Sequence, residues 1–306
     1  MGEGVAILGI FVADLAFRAG RLPAIGETIA GSGFAMGPGG KGSNQAVAAA
    51  RVGAKVTFIS KIGRDEFGAS AKAAWAKDGI VARVSEIDTH PTGAAFIFVN
   101  DKTGANAIIV VPGAAATIGV ADIEAAADAI RGVKVFVTQL EQPVAAARRG
   151  LEIARAAGVI TVFNPAPAEP VDDAIYALCD YVTPNETEAA LLTGLTVGSI
   201  DDARKAGDVF LLKGAGTALI TLGERGALLH SKTDSVLIPI FKAGPVVETT
   251  GAGDAFNGGF AAALARGATP VEAARFGAAV AGISVTRPGT APSMPTLAEV
   301  EALLAR

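Results

Sequence analysis

The chain has 306 residues, 51% of them hydrophobic and 18% charged, with a net charge of −4. That apolar fraction excludes a disordered chain, and an acidic balance with scattered Lys and Arg carries no electrostatic footprint for nucleic acid. Mean hydropathy is +0.45. It comes from alanine-rich stretches, and the longest uncharged run, Thr103–Ala121, is interrupted by Gly104, Asn106, Pro112 and Gly113 and does not fit a bilayer span.

The N-terminus lacks the basic region of a signal peptide, with Glu3 and Asp14 flanking a short apolar run. Cys179 is the single cysteine, which excludes an intramolecular disulfide and points to a reducing compartment. The expectation is a cytoplasmic protein with no membrane partner.

In chain order, short β-branched runs alternate with helical patterns. Strands are predicted at Val5–Ile10, Val56–Ile62, Val133–Leu140, Val159–Asn164, Tyr181–Pro184 and Ala218–Gly223. Helices are predicted at Asn44–Val52, Phe67–Lys77, Ala121–Arg131 and Val144–Ala157. Continuous apolar strands alternating with helices predict an α/β fold with a doubly wound, mostly parallel sheet. Glu27–Met36 and Ala94–Val111 break the rhythm. They read as antiparallel strands, the second a hairpin around Asp101-Lys102-Thr103-Gly104. A small sheet made from them would expose an apolar face that needs a ligand or a second subunit to cover it.

Two glycine loops carry the chemistry. Gly37-Pro-Gly-Gly-Lys-Gly-Ser-Asn44 contains the dinucleotide spacing, but it lies far downstream of the first strand, where that fingerprint belongs. It is not a Walker A loop either, because Gly42 follows Lys41. Adjacent glycines let a ligand approach the backbone, and Lys41 and Asn44 supply donors; a plain helix-capping turn is the alternative.

The second loop, Glu248-Thr-Thr-Gly-Ala-Gly-Asp254, precedes a strongly helical run. Gly251, Ala252 and Gly253 would then offer free N–H groups at a helix N-terminus, an anion hole. Asp254, itself negative, makes sense there as a proton acceptor for an attacking hydroxyl. Its alternative is a helix cap.

Together the loops resemble the two signatures of the ribokinase-like (PfkB) carbohydrate kinase family. The first reads Gly39-Gly-Lys-Gly-Ser-Asn-Gln-Ala-Val-Ala-Ala-Ala50 and continues to Gly63-Arg-Asp-Glu-Phe-Gly68; the second reads Thr249-Thr-Gly-Ala-Gly-Asp-Ala-Phe-Asn-Gly-Gly259. Between them Asn164-Pro-Ala-Pro167, Pro184-Asn-Glu-Thr-Glu188 and Thr221-Leu-Gly-Glu-Arg-Gly226 follow the family's order, so the resemblance covers nearly the whole chain. The first loop, Gln139-Leu-Glu141 and Asn164–Pro167 are most similar to the family's ribokinase branch.

The resemblance implies an ATP-dependent phosphotransferase acting on the primary (5-)hydroxyl of a pentose, with the sugar and ATP as its small-molecule partners. It implies one domain over residues 1–306, with lid strands inserted at about 15–38 and 92–112, and a homodimer built through the lids. The sugar site maps to Val12, Asp14, Gly40, Lys41, Asn44 and Glu141. The base maps to Asp254, in an anion hole of Gly251, Ala252 and Gly253. The nucleotide site maps to Asn185, Thr221, Gly223, Gly226 and Gly253. Glu188 would act on Mg²⁺ through water, which Mg²⁺ retains readily. A monovalent cation, potassium, maps to Glu248, Thr250, Ser284, Arg287, Gly289 and Ser293, although the family more often has Asp where Glu248 stands. Ala278 and Ala279 offer adenine only apolar contact.

His90 and His230 read as surface residues, and two isolated histidines do not make a zinc site. One departure concerns the substrate. Ribokinases carry Asn-x-Asp after the first strand, whereas this chain has Val12-Ala13-Asp14. Val12 cannot hydrogen-bond a hydroxyl, and some relatives acting on 2-deoxyribose also have an apolar residue there. Ribose is the expected substrate, with 2-deoxyribose, another sugar or a nucleoside as alternatives. A sugar-binding relative without catalysis is a further alternative, which the intact Gly251-Ala-Gly-Asp254 opposes.

Overall fold

Side chains of Val5–Leu8 are all fully buried, because this strand lies in the middle of a sheet covered on both faces. The pleat sends alternate residues to opposite sides. Val5 and Ile7 enter one apolar core, and Ala6 and Leu8 enter the other. The computed structural model describes residues 3–306.

In chain order the strands are β1 (Val5–Leu8), β2 (Val12–Ala19), β3 (Gly33–Gly39), β4 (Val56–Gly63), β5 (Val81–Ile87), β6 (Thr92–Asn100), β7 (Asn106–Gly113), β8 (Val135–Thr138), β9 (Ile160–Phe163), β10 (Tyr181–Val182), β11 (Thr217–Thr221), β12 (Ala227–Ser231) and β13 (Ser235–Ile238). The helices are α1 (Lys41–Arg51), α2 (Glu66–Lys77), α3 (Val120–Ala125), α4 (Ala127–Arg131), α5 (Val144–Ala156), α6 (Glu186–Thr193), α7 (Ile200–Leu212), α8 (Ala252–Ala265), α9 (Pro270–Ser284) and α10 (Leu297–Leu304).

The main sheet has nine strands in the order β13-β12-β11-β10-β9-β8-β1-β4-β5. Neighbours from β5 across to β11 are parallel, and β12 and β13 extend that edge antiparallel. One core joins the sheet to α1, α8 and α9, and the other joins it to α5 and α7. The doubly wound, mostly parallel sheet is therefore as expected.

Four strands, β3-β2-β6-β7, make a separate small sheet. Its outer strands pair antiparallel, and β2 and β6 pair parallel at its centre. The register places Leu15, Phe17, Phe34, Met36, Phe96 and Ile109 on one face. Phe17 packs against Phe34 and Phe96, with ring centroids 5.0 and 5.7 Å away. Phe34 is nonetheless 61% exposed and Ile109 65%. Asp14 and Val12 lie on the opposite face by alternation.

Three readings of the sequence need correction. The strand expected at Glu27–Met36 is β3, Gly33–Gly39. Its Gly37-Pro38-Gly39 reads as a turn, but β3 is an edge strand, where the missing N–H of Pro38 costs no ladder bond. Glu27 instead closes a turn, accepting from Arg21 Nη1 at 2.6 Å and from the Ala24 N–H at 2.9 Å. The helix expected at Ala121–Arg131 is two, α3 and α4, divided at Ala126 (φ −104°, ψ 9°) in a run of alanines that supplies no cap. His230 is not a surface residue. Its side chain is 12% exposed, 2.9 Å from Asp208 and packed over Gly207 of α7, because it lies on the unrecognised strand β12.

Candidate active site

β1 lies between β4 and β8, so the chain leaves it toward one edge of the sheet and later builds the other. Ligands of such sheets bind beyond the carboxyl ends of the strands at this reversal. The candidate residues converge there.

Gly40 caps α1 with φ +90°, a conformation glycine adopts without strain. A Cβ on Gly40 would also meet the Ile10 carbonyl at 2.5 Å. Gly42 packs on Gly9, where a Cβ would lie 2.7 Å from the Gly9 Cα. These close approaches bring the start of α1 onto the end of β1. The Lys41 N–H donates to Glu141 Oε2 at 2.7 Å, an acid at a helix N-terminus. Asp14 sits on β2 rather than in a turn after β1, and its carboxylate lies over Gly39, where a Cβ would meet Oδ1 at 2.2 Å.

Asp254 is buried in the first turn of α8. Its Oδ2 accepts from Asn44 Nδ2 at 3.0 Å and its Oδ1 from Gln45 Nε2 at 3.1 Å. Asn44 Oδ1 is buried with no protein partner, an acceptor left for a ligand hydroxyl. Gly251 caps α8 with φ +80°. The Ala252 N–H, expected to be free, donates to the Thr249 carbonyl at 3.1 Å, whereas those of Gly253 and Asp254 donate to no protein acceptor among the described residues. A Cβ on Gly253 would meet nothing within 4 Å, so the approach to these donors is open. Free N–H groups at a helix N-terminus have the geometry to hold an anion, here with a carboxylate beside it.

The carboxylates crowd each other. Burial, then the charges of Asp254 and Glu248, push Asp14 up to about 6. Burial pushes Glu141 up to about 7, against the Lys41 ammonium and N–H. Asp254 is also raised by burial, opposed by Lys41, Asn44 and Gln45. For Lys41, burial opposes charge, and the attraction of Asp254, Glu141 and Glu188 prevails and raises its pKa. Among the described residues the Lys41 ammonium has no hydrogen-bond partner, and the charges that attract it are those of Asp254, Glu141 and Glu188.

The other positions separate into groups. Asn185 caps α6, its side chain accepting from the Glu188 N–H at 2.8 Å, while Glu188 Oε2 accepts from the Asn185 N–H at 2.8 Å. Glu188 thus caps α6 with one carboxylate oxygen, and its largely buried side chain lies near Lys41 and Asp254. Thr221 ends β11 and pairs with Asn185. Gly223 (φ +54°) and Gly226 (φ +93°) make the turn into β12, and a Cβ on Gly226 would strike the Ile238 carbonyl at 2.0 Å. That need is structural.

Glu248 Oε2 accepts from the Gly289 N–H at 2.8 Å, joining the loop before α8 to the loop after α9. Ser284 and Ser293 turn their hydroxyls onto the carbonyls of Ala281 and Thr290, and the Arg287 side chain pairs with Glu299 at 2.5 Å. Thr250 is exposed beside them. Gly251 packs on Thr290, so this loop adjoins the anion turn. Val12 is buried and belongs to an apolar core with Ile10 and Ala95.

Sequence reasoning missed Gln45, Thr183 and Asn257 as supports of the site. Each is polar and buried. Asn257 follows Gly253 by one helical turn, a spacing that signals a shared face. Gln45 carries no such signal, because its partners come from distant segments.

A profile for the pfkB family of carbohydrate kinases matches residues 3–297. The chain belongs to this family. It is 41% identical to a ribokinase of Haemophilus influenzae, with 98% of this chain and 97% of that one aligned. It is 35% identical to a deoxyribokinase of Salmonella typhi, with 96% of each aligned. Its fold superposes on the structure of Arabidopsis thaliana ribokinase complexed with ribose and ATP with a TM-score of 0.93, at 30% identity and full coverage of both chains. This kinase is therefore an ATP-dependent sugar kinase.

Proposed function

We propose that this kinase transfers the γ-phosphate of ATP to the 5-hydroxyl of ribose. One observation carries the reading: Asp254, buried and held by two amide donors, adjoins the open N–H groups of the α8 turn and the cluster of Asp14, Lys41 and Glu141. Carboxylates accept from sugar hydroxyls, while Lys41 donates and Asn44 Oδ1 accepts. Asp254 takes the proton of the 5-hydroxyl as the new O–P bond forms and the bond from the γ-phosphorus to the bridging oxygen breaks, releasing ADP, and the N–H groups of Gly253 and Asp254 neutralise charge on the transferring phosphoryl group. Asn185, Thr221, Gly223 and Gly226 border the nucleotide.

Glu188 fits Mg²⁺ through water, because one of its carboxylate oxygens stays free of the cap. The ion would neutralise phosphate charge when bound. Mg²⁺ retains much of its water and takes few protein ligands beside substrate phosphates. The oxygen-rich loop of Glu248, Thr250, Ser284, Arg287, Gly289 and Ser293 suits a hard monovalent cation such as potassium. No helix of the described residues is long and apolar enough to cross a membrane.

The aromatic face of the small sheet supports a homodimer in which two lids cover each other. A second reading, 2-deoxyribose as substrate, is favoured by the apolar Val12. Assay with ATP and Mg²⁺ over pentoses, deoxypentoses, hexoses and nucleosides tests the assignment. Ribose should be phosphorylated at its 5-position, and preference for a hexose or nucleoside would overturn it.

A further inference from the structure

Gln139, Asn164 and Thr183 are the first residues beyond β8, β9 and β10, three neighbouring parallel strands. All three are buried, as are Gln45 on α1 and Asn257 on α8. Their hydrogen bonds form one circuit, with directions set from its two ends. The ionised Asp254 carboxylate can only accept, so Gln45 must turn Nε2 toward its Oδ1. The second proton of that amide reaches Asn164 Oδ1 at 3.1 Å, and Gln45 Oε1 accepts from Gln139 Nε2 at 2.6 Å.

Asn164, fixed by that contact, donates from Nδ2 to the Thr183 carbonyl at 2.8 Å. The Thr183 hydroxyl donates to Asn257 Oδ1 at 2.6 Å, and Asn257 Nδ2 donates to the Gly253 carbonyl at 2.9 Å. The chain thus begins on the Asp254 carboxylate and ends on the carbonyl of the preceding residue. It runs out through α1, along the carboxyl edge of the sheet, and back into α8. The carboxylate sets the amides of Gln45, Gln139 and Asn164, and the Gly253 carbonyl sets Asn257 and with it the Thr183 hydroxyl, while Gln139 Oε1 stays buried without a partner.

We propose that Gln45, Asn164, Thr183 and Asn257 are positioning residues that lock the Asp254 side chain and the open N–H groups of Gly253 and Asp254 into one unit. They act through Asp254 and Gly253. The reacting oxygen and the phosphoryl group must meet within a few tenths of an ångström of the productive geometry, and the base and the N–H donors must be set for the same point. Anchoring both to the same strand ends fixes their relative position. Partial loss is costly, because each buried amide freed of its partner becomes unsatisfied. The inference rests on Asp254 as the base.

Thr183→Val removes one hydroxyl at nearly constant volume and opens the circuit between Thr183 and Asn257. The single-turnover rate of phosphoryl transfer should fall by roughly 10-fold to 100-fold, the scale of a small misplacement. KM for sugar and for ATP should stay within about 2-fold, since binding groups are untouched. Thr183→Ser keeps the hydroxyl and should restore the rate. In an Asp254→Asn background, itself slower by roughly 10²–10⁴-fold, Thr183→Val should add little further loss.

A Thr183→Val rate within about 2-fold of wild type, a Ser variant as slow as Val, or an unchanged penalty in the Asp254→Asn background overturns the relay. Near-normal activity of Asp254→Asn alone overturns the base assignment instead. Should Thr183→Val fail to fold, Gln45→Met at the other end of the circuit carries the same comparison.

Discussion

The backbone N–H of Lys41 and the carboxylate of Glu141, 100 positions apart in the chain, meet at 2.7 Å where α1 begins. The contact joins the first glycine loop to the segment after β8 and places an acid at a helix N-terminus. Burial still outweighs that helix, raising Glu141 from its ordinary 4.5 to about 7. The folded protein therefore holds this proton more tightly than the unfolded chain does. The stability it contributes is complete below about pH 4.5 and is lost as pH rises through about 7.

Glu141→Gln is neutral at every pH and retains an acceptor for the Lys41 N–H. Relative to this variant, the ligand-free wild type should weaken between pH 5 and pH 8, by about 3 kcal/mol at most. Denaturant unfolding of both proteins at several pH values measures the gap. A gap that does not grow with pH rejects a neutral Glu141.

Gly258 is the contact point of α1 and α8. A Cβ there would lie 2.5 Å from the Gln45 carbonyl and 2.6 Å from the Ala48 Cβ. In a free helix Ala is better than Gly by about 1 kcal/mol. Here the added methyl must push α1 away, and such overpacking costs about 1–3 kcal/mol. Gly258→Ala should lower the melting temperature and also slow turnover, because α1 carries Asn44 and Gln45. Gly259→Ala is the control: its Cβ would meet the Val280 side chain, so it should destabilise while sparing turnover. Equal effects on turnover from both variants would count against this account.

The sequence showed the sheet where strands are buried on both faces, as at Val5–Leu8, because continuous apolar runs are unambiguous over such lengths. It showed the two glycine loops because close backbone approach demands glycine at Gly40 and Gly42. It hid β3, where edge position rather than composition decides that Gly37-Pro38-Gly39 can extend a sheet. It hid His230 because burial there depends on α7 crossing an unread strand. Glu188 was legible as an acid facing the nucleotide site, but its second role as the reciprocal cap of α6 shows only in the structure. The support around Asp254 was the least legible part, since its bonds span 209 positions to Gln45 and 74 between Thr183 and Asn257.

The face carrying Phe17, Phe34, Met36, Phe96 and Ile109 should be the dimer contact. A stable interface buries about 800 Å² per partner, and paired aromatic rings suit its centre. Light scattering at micromolar concentration should give a dimer mass for the wild type. Phe34→Asp with Ile109→Asp should give monomers that remain folded by circular dichroism. A wild type that scatters as a fully active monomer rules the clasp out.

Val12 shares the Asp14 face of β2, yet it is buried, with its Cγ1 only 2.9 Å from where a Cβ on Gly93 would lie. A site that hydrogen-bonds a hydroxyl rejects an analogue lacking it by roughly 10⁴–10⁵-fold, whereas an apolar site penalises an added hydroxyl by only about 10²-fold. With Val12 in place of a polar side chain, discrimination between ribose and 2-deoxyribose should be weak. Val12→Asn should shift the ratio of kcat/KM values toward ribose by about 1–2 kcal/mol, the scale of one or two hydrogen bonds. The same change buries an amide in an apolar core, so the ligand-free variant should lose about 1–3 kcal/mol of stability, part of it regained with ribose bound. Measuring both sugars on one preparation cancels that loss in the ratio. A wild type already preferring ribose by more than about 10⁴-fold, or a ratio that Val12→Asn leaves unchanged, would show that this position does not read the 2-hydroxyl.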